Sequence, residues 1–169
     1  MKRVAFVYTF ILIFSFCGKN VLAQGAAGLH NPVFGASALA QGNAFVARAD
    51  DASAIQFNPA GLTQLERPQI YVGGSLLYPS AEFHGNNGDD EVMHTKINTI
   101  PNFYIASPII ENKLAAGLGV TVPYGLQGKW DEDGFSRFIV TDFKLGIINI
   151  NPTITYKPLS CLSIGVGFD

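Results

Sequence analysis

Leu114-Ala115-Ala116-Gly117-Leu118-Gly119-Val120-Thr121-Val122 decides the fold. Leu114, Ala116, Leu118, Val120 and Val122 alternate with Ala115, Gly117, Gly119 and Thr121, giving one apolar row and one small or polar row. A period of two is what a strand shows when its faces meet different surroundings. The period recurs on both sides. Ile70, Val72, Leu76 and Tyr78 stand opposite Gly73 and Ser75; Pro101, Phe103 and Ile105 stand opposite Asn102, Tyr104 and Ala106. Further on, Ile148, Ile150, Ile154 and Tyr156 alternate with Asn149, Asn151, Thr153 and Thr155, and Leu162, Ile164, Val166 and Phe168 with Ser163, Gly165 and Gly167. These five stretches predict five strands.

Their connections are of two kinds, in turn. The polar segment His84 to Glu91 and the longer Pro123 to Asp142 separate the first stretch from the second and the third from the fourth. Only Ile110 to Lys113 and Lys157 to Ser160 join the others. Long polar loops at one end and tight turns at the other mark an all-β, up-and-down outer-membrane β-barrel. About 10 residues rising ~3.3 Å each, tilted near 40°, cover roughly the 25 Å height of the lipid-facing band; Gln69 to Pro79 and Lys144 to Lys157 reach it. A soluble exported lipid-binding β-protein would also alternate, but its loops need not segregate. Bacterial single-chain barrels use eight or more strands. Five strands with alternation running to Asp169 therefore read as the N-terminal part of a longer protein.

The first residues indicate export. Lys2 and Arg3 precede an apolar run from Val4 to Cys17, and Val21-Leu22-Ala23 fits cleavage after Ala23. The run is shorter than the roughly 20 residues that a membrane-spanning helix needs. Removing residues 1–23 takes Lys2, Arg3 and Lys19 away and shifts the net charge from −2 to −5. Cys161 is then the lone thiol, so no internal disulfide is available. No run of Lys or Arg could neutralise phosphates, which argues against nucleic acid as a partner. His30, His84 and His94 lack the spacing of a zinc site, and no serine elbow is present. Neither metal, cofactor nor catalytic residue is expected; an adhesin or an enzyme on the same barrel is the competing functional reading.

Between Gln24 and Leu65 the chain is rich in Ala and Gly and does not alternate. Asp50-Asp51 can cap a turn over Ala52 to Phe57, and Asn58-Pro59 reads as a helix start, with Asn58 as the cap and proline at the first helical place. A compact segment with one or two short helices is expected before the first strand.

Asn58-Pro59-Ala60 after Asp50-Asp51, then Arg67-Pro68 and the first strand, resemble the FadL-type outer-membrane transporters of long-chain fatty acids and other hydrophobic compounds. Pro101-Asn102-Phe103, Val122-Pro123-Tyr124-Gly125-Leu126 near Trp130, Thr141-Asp142-Phe143, and Ile148-Asn149-Ile150-Asn151-Pro152 follow in the family's order, and Leu162 to Phe168 resembles its fifth strand. The resemblance implies a monomeric 14-stranded barrel in the outer membrane of a Gram-negative cell, plugged by an N-terminal hatch. Residues 1–23 would be the signal peptide, 24–66 the hatch and 67–169 the first strands.

It also implies a route. Ligand, a fatty acid or an aromatic hydrocarbon, would enter from outside and leave sideways into outer-membrane lipid through a gap beside a kinked third strand. Asn58, Pro59 and Ala60 would then be gate residues, and Leu114 to Val122 the kinked strand, with Gly117, Gly119 and Thr121 on its opening. Gly117 and Gly119 put no side chain on their face, so another segment can approach closely there. The loop from Pro123 to Asp142 would help build the ligand groove; Phe135, Phe138, Lys129 and Arg137 are its candidate contacts, although Asp131-Glu132-Asp133 interrupts its apolar surface.

Overall fold

The computed structural model describes residues 30–31, 33–85 and 90–169. The expected signal peptide, its cleavage site and the tip of the first polar loop, residues 86–89, lie outside them. No helix among the described residues is long and apolar enough to cross a membrane.

The chain begins with short helical pieces, α1 (Ala36–Leu39), α2 (Ala54–Phe57) and a 3₁₀ helix (Pro59–Gln64). Strands follow: β1 (Gln69–Leu77), β2 (Glu82–Phe83), β3 (Glu91–Val92), β4 (Asn98–Ile110), β5 (Leu114–Lys129), β6 (Asp142–Leu159) and β7 (Leu162–Gly167). Five of them form one sheet in the order β1-β4-β5-β6-β7, every neighbour antiparallel, while β2 and β3 make a small hairpin within the first long connection. The fold is all-β and up-and-down, and its five main strands are the five alternating stretches of the sequence.

The two rows meet opposite surroundings. Ile70, Val72, Ile150, Ile154 and Val166 are exposed, Val72 to 75%. Asn102, Tyr104, Ala106, Ala115, Thr121, Asn151, Thr153 and Thr155 are buried beneath the N-terminal segment. This inverts a soluble protein's distribution and is what a wall with lipid on one side requires. The face that carries the N-terminal segment is the inner face. At the tight end, Asn112 takes a left-handed conformation (φ 54°) between β4 and β5, which asparagine adopts more readily than other side-chain-bearing residues.

The second long connection is shorter than the sequence suggests. β5 continues through Pro123 to Lys129 and β6 starts at Asp142, so only residues 130–141 remain as loop. Pro123 and Gly125, residue types that commonly punctuate chains, lie inside the strand. The strand absorbs Pro123 in a bulge: Thr121 pairs with Asn149 but Tyr124 with Ile147, three steps on β5 against two on β6. One extra residue reverses which side chains face which way. Above the bulge Tyr124, Leu126 and Gly128 share the inner face with Ile147, Leu145 and Phe143, and Gln127 and Lys129 turn outward.

An arginine at Ile154, in the middle of the outer apolar row of β6, should lower the unfolding free energy of the full-length protein in bilayers by about 2–4 kcal/mol. Denaturant titration in lipid measures it, and an unchanged midpoint would contradict the assignment of that row to lipid.

Candidate functional site

The N-terminal segment lies across the inner row and packs through small residues. Ala49, Ala52, Ala54, Ile55, Leu62 and Leu65 form one buried cluster with Tyr104, Ala106 and Ala115 of the wall. Asp51 organises the turn before α2, its Oδ1 accepting from the Ser53 amide at 2.8 Å and from the Ser53 hydroxyl at 2.5 Å. The neighbouring Asp50 accepts from Arg48 Nε at 2.8 Å, which holds that guanidinium's proton more firmly than usual.

All five strands of the sheet hold the segment, in different ways. On one flank, Tyr104 of β4 donates to the Phe34 carbonyl at 2.8 Å. There too, the Ala36 amide donates to the Tyr71 hydroxyl of β1 at 2.6 Å, and the Ala52 amide to Gln69 Oε1 at 3.0 Å. On the other flank, Thr155 of β6 donates to the Pro59 carbonyl at 2.8 Å, and the Thr63 and Ser163 hydroxyls share a hydrogen bond at 3.0 Å. Between them, lower β5 meets the segment through apolar contact. A Cβ at Gly117 would come within 2.7 Å of Ile55 Cδ1, and one at Gly119 within 3.0 Å of Ile55 Cγ2. Burying the isoleucine contributes about 1.5–3 kcal/mol.

The Asn58-Pro59-Ala60 motif is placed next to β6 and β7. A Cβ on Gly165 of β7 would lie 2.5–2.7 Å from Pro59 and Ala60 atoms. Asn58 stands at the N-cap of the 3₁₀ helix with Pro59 after it, yet its side chain makes no cap hydrogen bond; it donates instead to the Val46 carbonyl at 3.0 Å. The side-chain cap expected from sequence is thus replaced by a tie to the preceding loop. Gly117, Gly119 and Thr121 face the N-terminal segment from β5, where Ile55 is the partner of the two glycines.

Above these glycines the wall opens. The β4–β5 ladder runs from the tight turn to Phe103 and Val120 and stops. Pairing between the two chains resumes at the His94 amide, which donates to the Lys129 carbonyl at 2.8 Å. Between these closures, residues 95–102 and 121–128 exchange no ladder pairs, a window roughly 25 Å long at ~3.3 Å per residue. The beginning of the described chain occupies it. Asn31 donates its amide to the Pro123 carbonyl at 2.8 Å and its side-chain nitrogen to the Val122 carbonyl at 3.3 Å, His30 bridges Tyr124, and the two rings lie 5.5 Å apart.

The loop candidates are dispersed. Phe135 stacks on Phe83 with centroids 3.8 Å apart and meets Trp130 edge-on at 5.0 Å. Glu91 fixes this clasp by accepting from the Asp131 and Phe135 amides at 2.7 and 2.9 Å, beside a His94–Asp131 pair at 2.6 Å. Arg137 donates to the Asp133 and Gly134 carbonyls of its own loop and lies over Phe138, which is 87% exposed. Lys129 belongs to the outward row above the bulge. Sequence reasoning missed Tyr124, Leu126, Leu145 and Ile147 as an inward apolar strip, and His30-Asn31 as the occupant of the window. The proline within an alternating run was the available signal for the first; nothing local signals the second.

Comparison with known proteins agrees with this architecture. The model of a family described as outer membrane protein transport protein (OMPP1/FadL/TodX) matches residues 22–169. An outer membrane protein of Neisseria meningitidis serogroup B is 34% identical over an alignment of 122 residues that covers 66% of this chain and 26% of that protein. A long-chain fatty acid transport protein of Escherichia coli O6:H1 is 28% identical over 126 residues, 72% of this chain and 28% of that one. The crystal structure of a Pseudomonas aeruginosa FadL homologue superposes with a TM-score of 0.51 at 21% identity, covering 70% of this chain and 31% of that chain. This chain therefore spans between a quarter and a third of the length of these relatives.

Gly165→Ala should loosen the N-terminal segment, because its methyl group would meet the Pro59-Ala60 backbone, whereas Gly146→Ala meets nothing within 4 Å. Limited proteolysis of the full-length protein should cut the segment several-fold faster in the first variant and at the wild-type rate in the second.

Proposed function

The chain belongs to the FadL/TodX family of outer membrane transport proteins, and we propose that it supplies the hatch and the first wall strands of a monomeric, 14-stranded channel for passive uptake of hydrophobic compounds, above all long-chain fatty acids. The window between β4 and β5, occupied by the N-terminal segment, is the observation that carries this reading. A solute bound for lipid needs a lateral exit, and an interrupted ladder is the only kind of opening a wall of hydrogen-bonded strands offers. Residues 24–66 act as the hatch. Asn58, Pro59 and Ala60 serve the gate by fixing its body to β6 and β7, and His30-Asn31 is its moving part.

Burial drives the process. An acyl chain gains about 0.8 kcal/mol for each CH₂ removed from water, so capture and delivery to outer-membrane lipid need no coupled energy source. The inward strip of Tyr124, Leu126, Leu145 and Ile147 gives such a chain an apolar surface beside the window, and aromatic hydrocarbons suit the same surface. Phe138, exposed on the outer loop beside Arg137, is a first contact for ligand arriving from outside. Lys129 and Phe135 hold the upper rim, through the Lys129 carbonyl that closes the window and the Phe135 stack beneath the loop. The family is one of transporters.

Closing the window by a cross-link tests the reading. His30→Cys with Tyr124→Cys, in a Cys161→Ser background, should abolish uptake of labelled fatty acid when oxidised and restore it on reduction, with surface abundance unchanged. Asn58→Ala with Pro59→Ala should lower uptake several-fold by freeing the hatch body. Undiminished uptake in the oxidised variant would remove the lateral route.

A further inference from the structure

The bulge that turns Tyr124 and Leu126 inward also decides what the upper wall shows to its surroundings. In the register above it Gly125 pairs with Gly146, Gln127 with Lys144 and Lys129 with Asp142, and these pairs face outward. Lower on β6 the outward row carries Ile148, Ile150, Ile154 and Tyr156, all exposed. About ten residues rising ~3.3 Å each, tilted near 40°, cover roughly 25 Å. A lipid-facing band that starts at Tyr156 therefore ends near Gly146. The long connections leave from this end, which in an outer-membrane barrel is the extracellular one. Lys144 thus stands at the level of the outer leaflet's head groups, with Lys129 a little higher on the adjoining strand.

The charges at this end are sorted. Two carboxylates are taken up in the loop clasp: Glu91 accepts from the Asp131 and Phe135 amides, and Asp131 pairs with His94. Asp142 stands opposite Lys129 in the register, yet among the described residues neither Lys129 nor Lys144 forms an ion pair within 4.0 Å. The outward face above the isoleucines is therefore cationic in a chain whose net charge is negative. Between the lysines and Ile148 the row holds only Gly125 and Gly146; a Cβ on Gly146 would meet nothing within 4 Å.

We propose that this outward face seats a phosphate-bearing lipid of the outer leaflet. Lys129 and Lys144 hold its phosphates, and an acyl chain runs down past Gly146 onto Ile148 and Ile150. Charge complementarity and the order of the surfaces select this occupant. A lysine costs little near the head groups and much at the middle of the bilayer, and near the head groups each one strengthens the hold on an anionic lipid about fivefold. A soluble phosphate would match the lysines alone, whereas a phosphorylated lipid matches the lysines and the isoleucine row together. Gly125 belongs to the stretch of β5 without β4 partners, so the bound lipid lies beside the window on its outer side. The assignment concerns the outer surface and holds whatever solute the channel carries.

Native mass spectrometry of the full-length protein in a non-ionic detergent tests it, with two probes: bisphosphorylated lipid A, and the same acylated glycolipid after removal of both phosphates. Wild type should bind the phosphorylated form at least tenfold more tightly. Lys129→Gln and Lys144→Gln should each weaken that binding about fivefold, and together bring it to the level of the dephosphorylated form, whose own binding stays unchanged. Lys144→Arg should retain the preference. Equal binding of the two probes by wild type, or a preference that survives in the double variant, would overturn the assignment.

Discussion

In hydrocarbon a backbone amide or carbonyl without a partner costs several kcal/mol, because no water can replace the missing strand. The β4–β5 ladder breaks this rule between Phe103–Val120 below and His94–Lys129 above. The break is tolerable only because something else serves the exposed backbone. Asn31 does so twice, through its amide to the Pro123 carbonyl and its side chain to the Val122 carbonyl. Pro123 reduces the debt by presenting no N–H of its own. The N-terminal segment lies across the inner face so that its first described residues cover this gap.

The bulge at Val122-Pro123 makes the gap useful. Below it, β5 obeys the rule for a wall strand, with Leu118 and Val120 outward and Gly117, Gly119 and Thr121 inward. Above it, the rule is reversed: Tyr124 and Leu126 turn inward opposite Ile147 and Leu145, and Gln127 and Lys129 turn outward. One inserted residue thus builds an apolar inner surface at the level of the window without changing the composition of either row.

Much of this was legible in the sequence, because period-two alternation is a local property. Rows such as Leu114 to Val122 or Ile148 to Tyr156 report their faces without knowledge of any neighbour, and Gly117 and Gly119 announce a close approach. What resisted reading was relational. Alternation is intact on both sides of the bulge, so Tyr124-Gly125-Leu126 looked like loop; only the pairing with β6 shows the shift. Asn58-Pro59 looked like a side-chain cap, but its partners, Val46, Thr155 and Gly165, are distant in sequence for all but the first. Ser75 and Asn102 each looked like an ordinary polar residue on an inner row. Neither Ser75 Oγ nor Asn102 Oδ1 has a hydrogen-bond partner in the packed structure, which no local pattern announces.

The unequal fastening of the N-terminal segment bears on how the proposed channel would tell apolar cargo from other solutes. Both flanks of the segment are hydrogen-bonded, to Gln69, Tyr71 and Tyr104 on one side and to Thr155 and Ser163 on the other. A hydrocarbon chain offers those donors and acceptors nothing in exchange, so its arrival does not favour their release. Against lower β5 the fastening is Ile55 on two glycines, an apolar contact that methylene groups reproduce almost without loss. In the proposed channel, apolar cargo would therefore compete with Ile55 for the two glycines of lower β5, while the hydrogen-bonded flanks stay docked. A polar solute faces the opposite balance, since it gains nothing at the glycines and would have to compete for hydrogen bonds that are already satisfied.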